Sequence, residues 1–165
     1  MIKSSKYVYL NFEDNNSSLV TRSLKMNSLY KTVPILQRSS DYLVTLKGFN
    51  LPINAMANKQ DIKQINIRTS TIPVKQTFLN TVEAIQPSII YTYYPSASEL
   101  KDDNIVLNIT DPTLYVCLES NEQLNNIDLY VEVVYASGKT ILQLASGEMA
   151  LISLQFKYSV SYTDL

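Results

Sequence analysis

Apolar and polar residues alternate with a period of two along most of the chain, in short runs rich in Tyr, Val, Ile and Thr. This is the pattern of strands with one face buried. The runs predict strands at Lys6–Phe12, Tyr42–Leu51, Ile62–Arg68, Ile89–Tyr94, Asn104–Ile109, Leu114–Leu118, Ile127–Tyr135, Thr140–Leu144 and Ala150–Tyr158. The clearest is Ile127–Tyr135, where Leu129, Val131 and Val133 alternate with Asp128, Tyr130 and Glu132, so one set faces a core and the other faces away. Two echoes, Ala136-Ser-Gly-Lys139 and Ala145-Ser-Gly-Glu148, each place a Gly where a tight turn needs positive φ. They predict that the last three strands form a meander. The longer connections between earlier strands predict crossovers of Greek-key type between two packed sheets.

Helix is scarce. Ser96-Ala-Ser-Glu99 has capping-box spacing, but Pro95 before it and Lys101-Asp-Asp103 after it leave room for only a turn or two. Asn54–Gln64 can hold a second short helix, and Glu13–Lys31, rich in Asn and Ser, reads as a long loop or an extended arm. The 165 residues suit one domain. The expectation is an all-β chain, residues 1–165, folded as a single jelly-roll β-sandwich of about eight antiparallel strands, with residues 1–6 as an N-terminal arm. An immunoglobulin-like sandwich needs only about 100 residues and favours a Cys…Trp…Cys pattern. That pattern is impossible with one Cys and no Trp.

Composition narrows the chemistry. Hydrophobic residues make up 45%, charged residues 18% and the formal charge is −1, values of a folded, near-neutral protein and not of a polyelectrolyte that binds nucleic acid nonspecifically. There is no His, which removes the commonest general acid/base, the commonest zinc ligand, every Ser-His or Cys-His pair and the histidine-ligated metal of jelly-roll cupins. Three scattered Gly form neither a P-loop nor a dinucleotide fingerprint. Cys117 lies in the apolar run Leu114–Leu118 and reads as core filler. The clusters Asp102-Asp103-Asn104 and Glu13-Asp-Asn-Asn16 lack calcium-loop spacing and read as solvated turns. No catalytic set, cofactor or metal site is expected. No apolar stretch approaches the roughly 20 residues of a membrane span, and no signal-peptide core follows the opening Met-Ile-Lys-Ser-Ser-Lys-Tyr, so synthesis inside a cell is the expectation.

What remains is surface recognition. Tyr91-Thr-Tyr-Tyr-Pro95 puts Tyr91 and Tyr93 on one face of a strand and Tyr94 on the other, which suits either the rim of a core or an aromatic platform for sugar rings or a protein partner. Tyr158-Ser-Val-Ser-Tyr162 repeats the alternation and predicts an edge strand, with Tyr158 and Tyr162 free to meet a neighbour. Lys3, Lys6, Arg22, Lys25 and Lys31 gather toward the N-terminus, a sparse basic region that suits a solvated surface or a weak contact with nucleic acid.

One stretch is more specific. Val33-Pro-Ile-Leu36, then Ser40-Asp-Tyr-Leu-Val-Thr-Leu46, then Phe49-Asn-Leu-Pro52 resembles the opening of the penton, or minor capsid, proteins of virophages, polintons and related small double-stranded-DNA viruses. In that family a Pro-Ile segment leads into a Ser-Asp-Tyr strand that ends in Arg-Phe-x-Ile-Pro. Here Gly48 stands at the Arg position and Leu51 at the Ile position, and the second Ile-Pro that often follows is missing. The resemblance implies a single jelly roll, five copies of which ring an icosahedral fivefold vertex and abut capsomers of a double-jelly-roll major capsid protein. It further implies that Lys3 and Lys6 form an inward-facing arm, that loops at one end line the pentamer channel, and that the chain resides in the virion after synthesis in the host cytoplasm or nucleus. Trimming residues 1–6 is then expected to spare the fold and weaken incorporation into particles. The alternatives are a carbohydrate-binding or adhesion sandwich that uses Tyr91 and Tyr93, and a single-jelly-roll coat protein that builds the whole shell.

Overall fold

The computed structural model describes the backbone of residues 3–14, 21–25, 41–69, 88–110, 116–119 and 126–161, and side-chain environments within 45–69, 89–110 and 129–155. The alternating runs become strands β1 (Lys3–Asp14), β2 (Thr21–Lys25), β3 (Asp41–Pro52), β4 (Ile62–Thr69), β5 (Ser88–Tyr93), β6 (Asn104–Asn108), β7 (Val116–Glu119), β8 (Asn126–Tyr135), β9 (Gly138–Ile141) and β10 (Ala150–Ser161). One sheet runs β1-β10-β3-β6, with β7 beside β6 along the same edge of β3. The other runs β2-β8-β4-β5, with β9 beside β2 along the same edge of β8.

All these pairings are antiparallel and they nest. β1 pairs with β10, β2 with β8, β3 with β6 and β4 with β5, as in one long hairpin wrapped around a core. Nested pairs distributed over two facing sheets are the jelly roll expected from the sequence. Leu46, Phe49 and Leu51 of β3, Ile65 and Ile67 of β4, Leu129, Val131 and Val133 of β8, and Ile152 and Leu154 of β10 fill the space between the sheets. Leu46 and Phe49 are three residues apart yet both buried, a phase change made by the irregularity opposite Ser153 and Leu154, where β3 carries an extra residue. Gly48 lies at that point because a Cβ there would overlap the Leu107 carbonyl oxygen of β6.

Four expectations change. The last three strands are not a meander: β8 and β9 form a hairpin, but β10 joins the opposite sheet between β1 and β3. Residues 142–149 make the crossing, and they bury Leu142 and Leu144 on the way. Tyr158 therefore lies in an interior strand, opposite Lys6 on one side and Tyr42 on the other, and not on a free edge. Lys3 and Lys6 belong to β1, where they pair with Ser161 and Tyr158 instead of forming a loose arm, so trimming residues 1–6 removes ladder pairs. The polar stretch Glu13–Lys31 contains a strand, β2, short and charged as edge strands commonly are.

Among the described residues there is no α-helix. The capping box forms as predicted: Glu99 accepts from the Ser96 N–H at 2.8 Å and from its hydroxyl at 2.7 Å, and the Glu99 N–H donates to Ser96 Oγ at 3.3 Å. It starts only the 3-10 turn Glu99–Lys101. Asn54–Gln64 holds a similar turn, Lys59–Asp61, before Ile62 opens β4.

Candidate interface surfaces

The connections β3–β4, β5–β6 and β8–β10 meet at one end of the sandwich and are stitched together. Asn54 Nδ2 donates to Glu148 Oε1 at 2.9 Å, Lys59 Nζ to the Asp102 carbonyl at 2.9 Å, Gln60 Nε2 to the Leu100 carbonyl at 2.9 Å, and Tyr135 Oη to the Ala57 carbonyl at 3.0 Å. Asp102 and Asp103 are exposed turn residues there. Among the described residues no three His, Cys, Asp or Glu come together as metal ligands would. No described helix is long and apolar enough to cross a membrane.

Tyr91 and Tyr93 do share a face of β5, but it is the inner one. They pair with the buried Ile67 and Ile65 of β4 and pack, half-buried, against the core. Tyr93 meets Phe49 edge to face, with ring centroids 5.4 Å apart, and its hydroxyl donates to Glu99 Oε1. Burial, followed by this contact with Glu99, pushes the Tyr93 phenol up to about 12. The same hydrogen bond, followed by those from Ser96, holds the Glu99 carboxyl below its ordinary range. The two tyrosines are therefore a core rim, half-buried on the inner face and not an open aromatic platform of the kind a sugar-binding reading needs. Tyr94 alone of the three is freely exposed, at 71%. Tyr162 and the Val33–Ser40 segment lie outside the described residues, as does the environment of the Cys117 side chain.

Two surfaces were not legible in the sequence. On the outer face of β4 and β8, Arg68 Nε lies 3.0 Å from Glu132 Oε1, which also accepts from Asn66 Nδ2 at 2.8 Å. Asn66 Oδ1 in turn accepts from Gln64 Nε2 at 2.6 Å and Thr92 Oγ1 at 3.0 Å. Arg68 and Asn66 are buried although they point away from the hydrophobic core. The signal lay in the alternation Ile65-Asn-Ile-Arg68, but its partner is in a strand more than sixty residues away. The second surface is the β6 edge of the other sheet. Its inner Ile105 is fully buried, while Asn104, Val106 and Asn108 are exposed, Val106 at 61%. Beside it a groove of about 480 Å³ is lined by Lys47, Asn50, Val106, Asn108, Leu151 and Ser153.

No protein-family model matches the chain, and no curated protein matches it. Solved structures do. The crystal structure of the mavirus penton protein superposes with a TM-score of 0.68 over 93% of this chain and 100% of that one, at 10% sequence identity. The chain has the fold of the mavirus penton protein. The likeness spans nearly the whole chain, well beyond the Val33–Pro52 stretch from which a penton resemblance was read. A chain of the Sputnik virophage structure matches over 62% of this chain and 31% of its own length, with 19% identity and a TM-score of 0.47. The fold assignment rests on the mavirus penton protein.

Proposed function

We propose that this chain is a structural capsid protein whose five copies close a ring at the icosahedral fivefold vertices and contact neighbouring major capsid capsomers. The observation that carries the reading is the match of its jelly roll to a penton protein over 93% of this chain and the whole of that crystallised chain. The Val33–Pro52 resemblance points the same way from the residues alone. A ring requires a surface that keeps its shape in every copy, and the stitched loop end, with Tyr94 and Met149 exposed in its connections, suits a place around the channel. Any contact between Lys3 or Lys6 and the genome is made from strand β1. The chain resides in the virion and is made in the host cytoplasm or nucleus. An icosahedral reconstruction of particles carrying this chain tests the assignment. Five copies of the sandwich at each vertex are expected; copies over the whole shell make it a major coat protein and overturn the vertex assignment.

A further inference from the structure

The β6 strand, at the edge of its sheet, is nearly symmetric about its midpoint. Its sequence, Asn104-Ile-Val-Leu-Asn108, reads nearly the same in both directions, with Val106 at the centre. The flanking hydrogen bonds fix which backbone groups point outward. The Ile53 N–H donates to the Asp103 carbonyl at 2.9 Å, and the Ile109 N–H donates to the Lys47 carbonyl at 2.8 Å. Hydrogen-bonded pairs alternate along an antiparallel ladder, so residues 105 and 107 bond to β3 while Asn104, Val106 and Asn108 direct their N–H and C=O away from it. Pro52 fits this phase, since it sits opposite Asn104, where β3 needs no donor.

Among the described residues nothing bonds to those outward groups. Edge strands are commonly blunted by Lys or Pro, and β6 contains no charged residue and no Pro. It instead exposes Val106 at its midpoint. The three side chains on its outer face are Asn, Val and Asn.

We infer that β6 is a self-pairing edge: two copies of this chain join antiparallel about a twofold axis through Val106. In that register Val106 faces the partner's Val106 and Asn104 faces the partner's Asn108. All three outward residues fall in hydrogen-bonded pairs. The two valines cover each other, and the facing amides satisfy each other across the strands. The β1-β10-β3-β6 sheet becomes continuous across the dyad. The acidic pair Asp102 and Asp103 falls beside the partner's Thr110 and Ile109, so no like charges meet. This pairing does not rest on the vertex assignment, because it uses one edge of each chain and requires no fivefold ring.

Two experiments test it. In native mass spectrometry and light scattering over a range of concentrations, the wild-type chain shows its base unit and twice that unit. Val106→Lys, at an exposed position that leaves the core untouched, puts two lysines face to face and raises the dissociation constant of the doubled species about tenfold or more. Val106→Cys forms a covalent dimer on mild oxidation, because hydrogen-bonded antiparallel partners have Cα atoms about 5.5 Å apart, within disulfide reach. Asn104→Cys does not, since its own copy lies four positions away along the partner strand. A wild type that never doubles, doubling unchanged by Val106→Lys, or equal cross-linking of the two Cys variants each overturns the pairing. Loss of doubling with the base unit intact leaves the vertex assignment standing on its own.

Discussion

The ion pair on the outer face of the β4–β8 sheet gives the sharpest stability prediction. Arg68 is 5% exposed in its side chain and Glu132 14%, with 3.0 Å between Nε and Oε1. At this depth the guanidinium has lost most of its water, so removing the Glu132 carboxylate withdraws a charge that offsets its desolvation. Breaking a buried pair in this way costs roughly 3–5 kcal/mol. Glu132 retains some solvent access and has Lys139 4.0 Å away as a second, half-exposed cation, which places Glu132→Ala near the lower end, at about 3 kcal/mol. For a chain of this length that loss lowers Tm by roughly 6–12 °C. Glu132→Gln separates two contributions, because its amide oxygen still accepts from Asn66 while the charge is gone. We expect it to cost about 1–2 kcal/mol. A double-mutant cycle between Glu132→Gln and Arg68→Met, read by urea denaturation, is expected to show coupling of about 2 kcal/mol. Coupling below about 0.5 kcal/mol, the scale of an exposed surface pair, would refute the claim that this outer face is desolvated.

Three further outcomes follow from the same geometry. Gly48→Ala forces a Cβ against the Leu107 carbonyl, and is expected to cost about 1–3 kcal/mol of overpacking strain in a denaturant titration; a midpoint equal to wild type would show that β3 and β6 can separate freely there. Tyr93 has its phenol raised from 10.0 to about 12, so its contribution is fully present below about 10 and is lost as pH rises through about 12. In an ultraviolet titration of the folded chain, Tyr93→Phe is expected to remove a late-ionising tyrosine and leave the early ones in place. Glu99 has its carboxyl lowered, so its contribution is present above the ordinary carboxylate range and is lost as pH falls through the folded value. Glu99→Gln is thus expected to be less stable than wild type at neutral pH and to converge with it in acid; a constant difference at all pH values would count against the Tyr93–Glu99 bond.

How much of this was legible depended on the range of the interaction. Period-two alternation is local, so strands such as β3, β4 and β8 could be read with their inward faces, and Leu129, Val131 and Val133 are buried as their spacing predicts. The capping box at Ser96 is equally local. The two Ala-Ser-Gly turns look alike in sequence and have different consequences. Gly138 closes a hairpin within one sheet, whereas Gly147, with φ 84°, lies in the connection that carries the chain to the other sheet. Only the burial of Leu142 and Leu144 distinguishes them, and burial is a tertiary property. Strand β2 was missed because Thr-Arg-Ser-Leu-Lys has a single apolar side chain and owes its conformation to pairing with β8. Tyr91 and Tyr93 were assigned to one face correctly, but tyrosine suits both core rims and exposed surfaces, and the β4 register decides for the rim. Arg68 and Glu132 meet through strand pairing that no local pattern records.

The central claim is that this jelly roll is a vertex protein, and its base unit is the most direct test. Native mass spectrometry of the Val106→Lys chain removes the doubling proposed at β6 and reads that unit alone. The account predicts a species at five times the 18.7 kDa chain mass across the concentration range. A single chain at every concentration would contradict it.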